Sequence, residues 1–332
     1  MSISKDKILI IQTAFIGDVI LATVVIESLF DKYPSAKIDM LVRKGNENLL
    51  TDHPKLNKVI IWDKKNRKLK NQFEIIKNLR KEKYDIVVNL QRFLSSGIFT
   101  LFSGAKITIG FDKNPLSFAF KYSLPHKIED GVHETDRNLS LMSPLFKVQD
   151  TRMKLYPSDN DYQNVTKYKE KPYIVIAPTS VWYTKQFPEN KWIEFIDNIT
   201  LDYNIYLIGG PDDYSKIEVI ISKSRNINCI NLSGKLNFLE STALMRDAKM
   251  NYVNDSAPMH MASAVNAPTT AIYCSTVPEF GFGPKADNSF IVEVQEKLEC
   301  RSCGLHGHNK CKEGHFDCAN KIKVEQLIST LL

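Results

Sequence analysis

The sequence predicts an α/β protein built from two successive Rossmann-like domains, and three observations carry that prediction. Short β-branched runs alternate with segments of helical periodicity, the pattern of a parallel sheet covered by helices on both faces. The alternation halts in a polar stretch at 156–172 and then starts again. Small and polar residues recur directly after the strands, at the edge where open α/β sheets bind ligands.

Taken in order, 7–14 (KILIIQTA), 37–43 (KIDMLVR), 58–62 (KVIIW) and 85–90 (DIVVNL) are apolar runs bounded by polar residues and read as strands. Helical patterns fill 18–32 and about 68–82, and 105–109 (AKITI) offers one more strand. These make a first domain over 1–156, followed by a polar linker over 157–172. The second domain, 173–320, repeats the scheme with strands at 173–178, 204–210, 229–234, 251–255 and 269–274. Its helices are expected at 189–201, to about 225, at 238–247 and from about 257. The final VEQLISTLL is apolar on one side and closes the chain as a helix within 321–332. Two such domains facing each other would form a central cleft.

At 332 residues, with 43% hydrophobic and 25% charged residues, the chain has the composition of a globular protein. No apolar run reaches the length of a membrane span. The start, MSISKDKILIIQ, lacks the layout of a secretory signal, so the cytoplasm is the expected compartment. The net charge of +6 is mild, and much of it sits in 63–85, DKKNRKLKNQFEIIKNLRKEKYD. The ordinary reading of that segment is a solvated lysine-rich helix face; the sharper one is a surface meeting anionic lipid or an anionic acceptor. No nucleic-acid-binding motif accompanies it.

Four segments carry side chains suited to chemistry. Asp18 follows Gly17 at the end of the first strand, where it serves either as a helix cap or as a general base walled by Phe15 and Ile16. In APTSVWYTKQFPENKW, Ser180 and Lys185 lie on a post-strand loop, and the lysine suits a phosphate as a point charge or is an ordinary surface residue. Gly209 and Gly210 end a strand and let a ligand approach the backbone; Asp212 and Asp213 behind them either accept ribose hydroxyls or form a plain turn. In NDSAPMHMASAV, Asp255 or Ser256 caps a helix that has Pro258 and His260 in its first turn, a seat for a diphosphate.

Together, GDVILAT, TKQFP, GGPDD and NDSAPMH, with HETDRNLSLMSPL ahead of the domain boundary, resemble glycosyltransferase family 9, the bacterial lipopolysaccharide heptosyltransferases. The resemblance runs in order through nearly the whole chain. It implies a GT-B architecture and an inverting, metal-independent transfer of a heptose or related sugar. The implied donor is a nucleotide sugar, ADP-heptose, and the implied acceptor a lipid-linked lipopolysaccharide core, met at the inner face of the cytoplasmic membrane. By the same resemblance Asp18 matches the catalytic base and Lys185 the lysine on the donor phosphates. Asp255, Ser256, Ala257 and His260 match the donor-binding helix start, with Ser180, Gly209, Gly210 and Asp212 as further donor contacts and Gly17, His133 and Arg137 on the acceptor side. Ala257 stands where the family has glycine, which adds a Cβ beside the diphosphate.

One segment stands apart from that scheme. CRSCGLHGHNKCKEGHFDC, 300–318, spaces its cysteines as C-x2-C-x7-C-x6-C. Cys300, Cys303, Cys311 and Cys318 are therefore expected to hold a structural zinc, with reduced thiols as the plain alternative and His306, His308 and His315 as substitute ligands. No cofactor is expected for the chemistry itself. Two other functions fit the same organisation: a different sugar-nucleotide enzyme such as an epimerase, or a zinc-bearing binding module that has lost catalysis. A dehydrogenase is disfavoured because no G-x-G-x-x-G follows either first strand.

Overall fold

The structure is a computed structural model that describes residues 6–66, 68–128 and 131–331. Residues 1–5, part of the stretch in which a secretory signal was sought, and Leu332, the end of the expected closing helix, lie outside the described residues. The chain divides into two compact units that part between Tyr156 and Pro157, Gly131 alone of the earlier described residues grouping with the second.

The first unit is a six-stranded sheet of β1 (Lys7–Ile11), β2 (Lys37–Arg43), β3 (Lys58–Trp62), β4 (Ile86–Asn89), β5 (Ile107–Phe111) and β6 (Tyr122–Leu124). All pairings are parallel, in the order β3-β2-β1-β4-β5-β6. Helices α1 (Ile16–Lys32), α2 (Lys68–Glu82), α3 (Leu94–Phe102) and α4 (Glu134–Ser140) accompany it. The central strand reads as an unbroken apolar run because neither face meets water: Ile8 through Ile11 are fully buried. Helix α1 is buried without interruption from Val19 to Leu29, and α4 is among the elements packed against it. Its one buried carboxylate, Glu27, is satisfied by Lys55 Nζ at 2.9 Å and by the Tyr156 hydroxyl at 2.9 Å.

The second unit repeats the plan with β7 (Tyr173–Ala177), β8 (Asn204–Leu207), β9 (Cys229–Asn231), β10 (Asn251–Asn254), β11 (Thr269–Tyr273) and β12 (Ser289–Glu293). The order is β12-β11-β10-β7-β8-β9, again all parallel. Its helices are α5 (Asp159–Val165), α6 (Glu189–Asp197), α7 (Tyr214–Lys223), α8 (Phe238–Arg246), α9 (Ala257–Ala264), α10 (Asp317–Asn320) and α11 (Val324–Ile328). Trp192, Phe195, Tyr252, Ile272 and Leu327 share one core, so the chain's last helix is stitched into the sheet it follows.

Several elements depart from expectation. The stretch expected as a polar linker contains α5, which starts with a capping box: Ser158 Oγ accepts from the Asp161 amide at 3.2 Å and Asp161 Oδ2 from the Ser158 amide at 2.8 Å. This helix packs against α8 and buries only Val165, which explains its polar appearance. Strands β6 and β12 and helices α3 and α4 extend the expected scheme. The closing helix is shorter than expected, and α6 ends at Asp197 rather than 201.

The two strand orders decide where chemistry belongs. In the first sheet the chain builds outward from β1 to β3 and then returns to place β4 on the other side of β1. In the second it does the same with β7 and β10. Loops leaving the two strands at such a reversal diverge and open a crevice at the carboxyl edge. These loops are 12–15 and 90–93 in the first unit, and 178–188 and 255–256 in the second.

Candidate functional site

At the first reversal, β1 runs into α1 through a turn braced from three sides. The Gln91 side-chain amide donates to Gln12 Oε1, joining the ends of β4 and β1. Asn46 Nδ2 donates to the Ala14 carbonyl at 2.9 Å, and Lys64 Nζ to the Thr13 carbonyl at 2.5 Å. Phe15 takes the N-cap position of α1, which its side chain cannot fill. Asp18, at the third helical position, makes the return bond of a capping box instead, its Oδ2 accepting from the Phe15 amide at 3.1 Å. Asp18 is thus a helix cap from the first turn, and the bond also fixes the direction of its carboxylate at the carboxyl edge. Gly17 lies in the same turn.

Helix α4 sets further charge beside this start. His133 caps it, its Nδ1 accepting from the Thr135 amide at 3.2 Å. Arg137 is buried, donating from Nε to Glu134 Oε2 at 2.7 Å and from Nη1 to the Val132 carbonyl at 2.6 Å. Burial raises the Glu134 pKa; Arg137 opposes the rise, the Asp18 charge reinforces it, and Arg92 opposes it more weakly. Asp18, Glu134, Arg137 and Arg92 therefore form one electrostatic group. His133 and Arg137, expected on the acceptor side, are the frame of α4 in this arrangement.

Sequence reading missed the cations at the neighbouring strand ends. Arg43 lies over the Phe15 ring, 4.6 Å from its centroid, and Lys64 over the Trp62 ring at 4.9 Å. Burial, then the charges of Arg43 and Lys68, lowers the Lys64 pKa. The signal for Lys64 was the basic run at 63–85. Arg43 gave none, because its place depends on β2 pairing with β3, Arg43 opposite Trp62.

At the second reversal, Asn254 ends β10 and holds the loop after β7. Its Nδ2 donates to the Pro178 carbonyl at 2.9 Å, and its Oδ1 accepts from the Phe187 amide at 2.9 Å. The next residue, Asp255, does not cap α9. Its Oδ2 accepts from the Thr276 hydroxyl at 2.6 Å and lies 2.6 Å from Lys185 Nζ, with the lysine side chain 15% exposed and the aspartate 7%. Ser256 is the N-cap, with Ala257 opening the helix and His260 buried beyond Pro258 in the first turn. The structure therefore brings Lys185 against Asp255, with Ser256, Ala257 and His260 following in chain order at the start of α9. Ser180 belongs to the Lys185 loop and accepts the Gln186 side-chain amide at its carbonyl, 2.6 Å.

The glycine pair ends β8 one strand away. A Cβ on Gly209 would lie 2.9 Å from the Cβ of Asp213, so no larger residue fits without movement. Asp213 Oδ2 accepts from the Gly210 amide at 2.9 Å, which makes Asp213 a turn-closing residue and leaves Asp212 as the outward carboxylate of the pair.

The cysteine-rich segment has a different role from the one its spacing suggested. Among the described residues, no group of three or more His, Cys, Asp or Glu could hold a metal ion, which corrects the expectation of a zinc on Cys300, Cys303, Cys311 and Cys318. The reason is packing: Cys318 joins the hydrophobic core, Cys311 packs against that core, and the Cys303 thiol turns to the Cys300 carbonyl at 3.3 Å. Burial, then the neighbouring Cys303 and Cys311 thiols, pushes the Cys318 thiol up to about 12.

The same segment buttresses the Lys185 loop instead. Arg301 donates to the Cys274 carbonyl at 2.8 Å and the Thr276 carbonyl at 2.9 Å, and pairs with Glu293 at 2.6 Å. The Cys303 amide donates to the Ser275 carbonyl at 3.1 Å. Thr184 exchanges backbone bonds with His308 and Ser275 and receives the Ser275 hydroxyl at 2.9 Å. Gly307 lies so close that a Cβ there would be 3.0 Å from Lys185 Cγ.

Comparison with known proteins places this geometry. Residues 72–308 match the model of glycosyltransferase family 9 (heptosyltransferase). Over 283 residues the chain is 32% identical to lipopolysaccharide heptosyltransferase 3 of Escherichia coli, covering 79% of this chain and 82% of that protein. The solved glycosyl transferase family 9 protein from Veillonella parvula DSM 2008 superimposes with a TM-score of 0.83 at 20% identity, over 99% of this chain and 97% of its own. For E. coli ADP-heptose lps heptosyltransferase II the TM-score is 0.78 at 20% identity, with 98% of each chain covered. The fold is accordingly an α/β fold of the GT-B type.

Proposed function

This chain belongs to glycosyltransferase family 9 and is an enzyme of the heptosyltransferase kind, and from that premise we propose that it transfers a heptose from ADP-heptose to a lipid-linked lipopolysaccharide core. The observation that carries the reading is the pairing of residue types with the two strand reversals. A carboxylate with a fixed direction stands at the first, and a lysine beside a helix N-terminus stands at the second.

The donor diphosphate is read onto the second unit. The amide at the start of α9 and the positive end of that helix attract it, and Lys185 neutralises charge as it forms. Held at 2.6 Å by Asp255, the lysine is placed before the donor arrives, and the diphosphate takes over part of that ion pair. Ser180, Gly209, Gly210 and Asp212 lie on adjoining strand ends suited to the nucleoside.

In the proposed reaction an acceptor hydroxyl oxygen forms a bond to the anomeric carbon as the bond from that carbon to the diphosphate oxygen breaks. The hydroxyl proton passes to Asp18, the bonding pair leaves with ADP, and the anomeric configuration inverts. No metal takes part; Lys185, His260 and the α9 amides carry the leaving-group charge. On the acceptor side Arg43, Lys64 and Lys68 offer positive charge to an anionic core, next to Gly17, His133 and Arg137.

The test is Asp18→Asn. Asparagine still accepts the Phe15 amide, so the fold and the donor KM stay near those of the parent, while kcat falls by about a hundredfold to ten-thousandfold. ADP release from ADP-heptose in the presence of acceptor measures both. An unchanged kcat would leave Asp18 as a helix cap and nothing more, and a rate lost to EDTA would refute metal independence.

A further inference from the structure

Helix α2 carries two faces with different tasks. Gln72, Ile75 and Leu79 point inward and are buried. Leu69 and Phe73, one turn apart, are 79% and 70% exposed. The Gln72 side chain donates to the Ser95 carbonyl at 3.2 Å and so ties the start of α2 to the start of α3, where Phe93 and Leu94 are also exposed. Four bare apolar side chains therefore lie about one junction, at the carboxyl edge of the first sheet that also carries Asp18. Single exposed apolar residues need no explanation, but a cluster of this kind marks a docking surface.

Its surroundings choose the partner. Lys68, Lys70, Lys77, Arg80 and Lys81 are all exposed along α2, against one exposed acid, Glu74, among the described residues of that helix. An apolar tip within a cationic collar matches the surface of a membrane, acyl boundary below and anionic headgroups above.

We propose that the start of α2 and α3 docks this enzyme on an anionic phospholipid bilayer, with Leu69 and Phe73 entering the acyl boundary and the lysines meeting headgroup phosphates. The purpose assigned to the contact rests on the reading of the acceptor as lipid-linked, since docking at this edge brings the end of β1 to a substrate anchored in the same bilayer. The contact itself does not depend on that reading.

The full chain is sedimented with vesicles of phosphatidylcholine, with and without phosphatidylglycerol and free of any glycolipid. Binding is expected to the anionic vesicles only, weakening as salt rises. Leu69→Ser with Phe73→Ser lowers it at least about tenfold, because two apolar side chains no longer insert. Lys68→Gln with Lys70→Gln and Lys77→Gln leaves the apolar pair in place and lowers it by about fivefold for each charge removed.

The serine pair keeps the parent rate on a water-soluble, acyl-free acceptor and loses rate on the lipid-linked acceptor in vesicles. Equal sedimentation of parent and both variants would overturn the proposal. So would self-association of the chain through Leu69 and Phe73 without vesicle binding. If instead the transferase reading is wrong, no ADP is released from the sugar donor on either acceptor while vesicle binding persists.

Discussion

Gly307→Ala tests whether the cysteine-rich segment supports the donor loop. Gly307 has φ +72, and a Cβ would stand 3.0 Å from Lys185 Cγ, 3.1 Å from Trp182 Cβ and 3.2 Å from Thr184 Oγ1. Gly314 is its control, with φ +79 and nothing within 4 Å of its Cβ. An alanine in the left-handed region costs about 1–2 kcal/mol, of which about 0.4–1 kcal/mol is recovered from the less flexible unfolded chain. Gly314→Ala should therefore destabilise by about 1 kcal/mol. Gly307→Ala carries the same backbone cost and adds crowding of about 1–3 kcal/mol, since the neighbours are the stem of Lys185 and the first atom of Trp182 rather than loose side-chain ends.

The expected difference between the two variants is about 2 kcal/mol, read as the shift in urea midpoint at constant slope. The functional consequence is specific to position 307. Displacing Lys185 disturbs its 2.6 Å contact with Asp255 and, on the proposed function, removes a charge-assisted bond to the donor worth about 1.5–3 kcal/mol, so the donor KM should rise by about tenfold to a hundredfold. Gly314→Ala should leave the donor KM alone. Equal destabilisation by the two alanines, or an unchanged donor KM for Gly307→Ala, would refute the claim that this segment sets the lysine.

Lys185→Ala leaves Asp255 buried with the Thr276 hydroxyl as its remaining described hydrogen-bond donor, and should cost about 3–5 kcal/mol in unfolding experiments as well as weakening donor binding. Glu134 has its pKa raised in the folded protein, chiefly by burial, so the stability it contributes is full below the ordinary glutamate value and is lost as pH rises through the folded value. Thermal unfolding of Glu134→Gln over a pH series should show the variant gaining on the parent as pH rises from about 4.5, with Arg137, Arg92 and Asp18 the charges that face the position. His53 and His126 behave oppositely. Burial, then the Lys55 charge, pushes His53 down to about 4; burial, then Arg92 and Arg137, does the same to His126. Each gives stability that is full above about pH 6.5 and lost towards pH 4, about 3 kcal/mol at the limit for His53 and less for His126, which solvent screens more, and replacing either with Phe should flatten the acid loss of melting temperature.

What the sequence made legible and what it hid follow from one distinction, local against non-local. The central strands β1, β4 and β7 are buried on both faces, so their apolar runs announced them; β10, Asn-Tyr-Val-Asn, is equally buried but shows through its place between helical patterns. Asp18 lies in the first turn of α1, directly after the β1 loop, and Lys185 and Asp255 lie on loops that leave β7 and β10, so a strand assignment was enough to place all three at an edge. Helix α5 went unseen because it buries one side chain, although Ser158 and Asp161 spelled out its cap. The groups that hold the chemistry in place join distant segments: Gln12 with Gln91, Asn254 with Pro178, Arg301 with Cys274. No local pattern encodes such pairs.

The cysteines show the same distinction from the other side. Their spacing is a local signal and satisfied a metal template, but the packing of Cys318 into the core and the anchoring of Arg301 at the end of β11 are non-local and decide their role. It follows that substitutions in 300–318 should change donor handling through Lys185 rather than through a metal. The strongest effects should fall on Arg301 and Gly307, which touch the β11 end and the lysine, and not on the cysteine sulfurs.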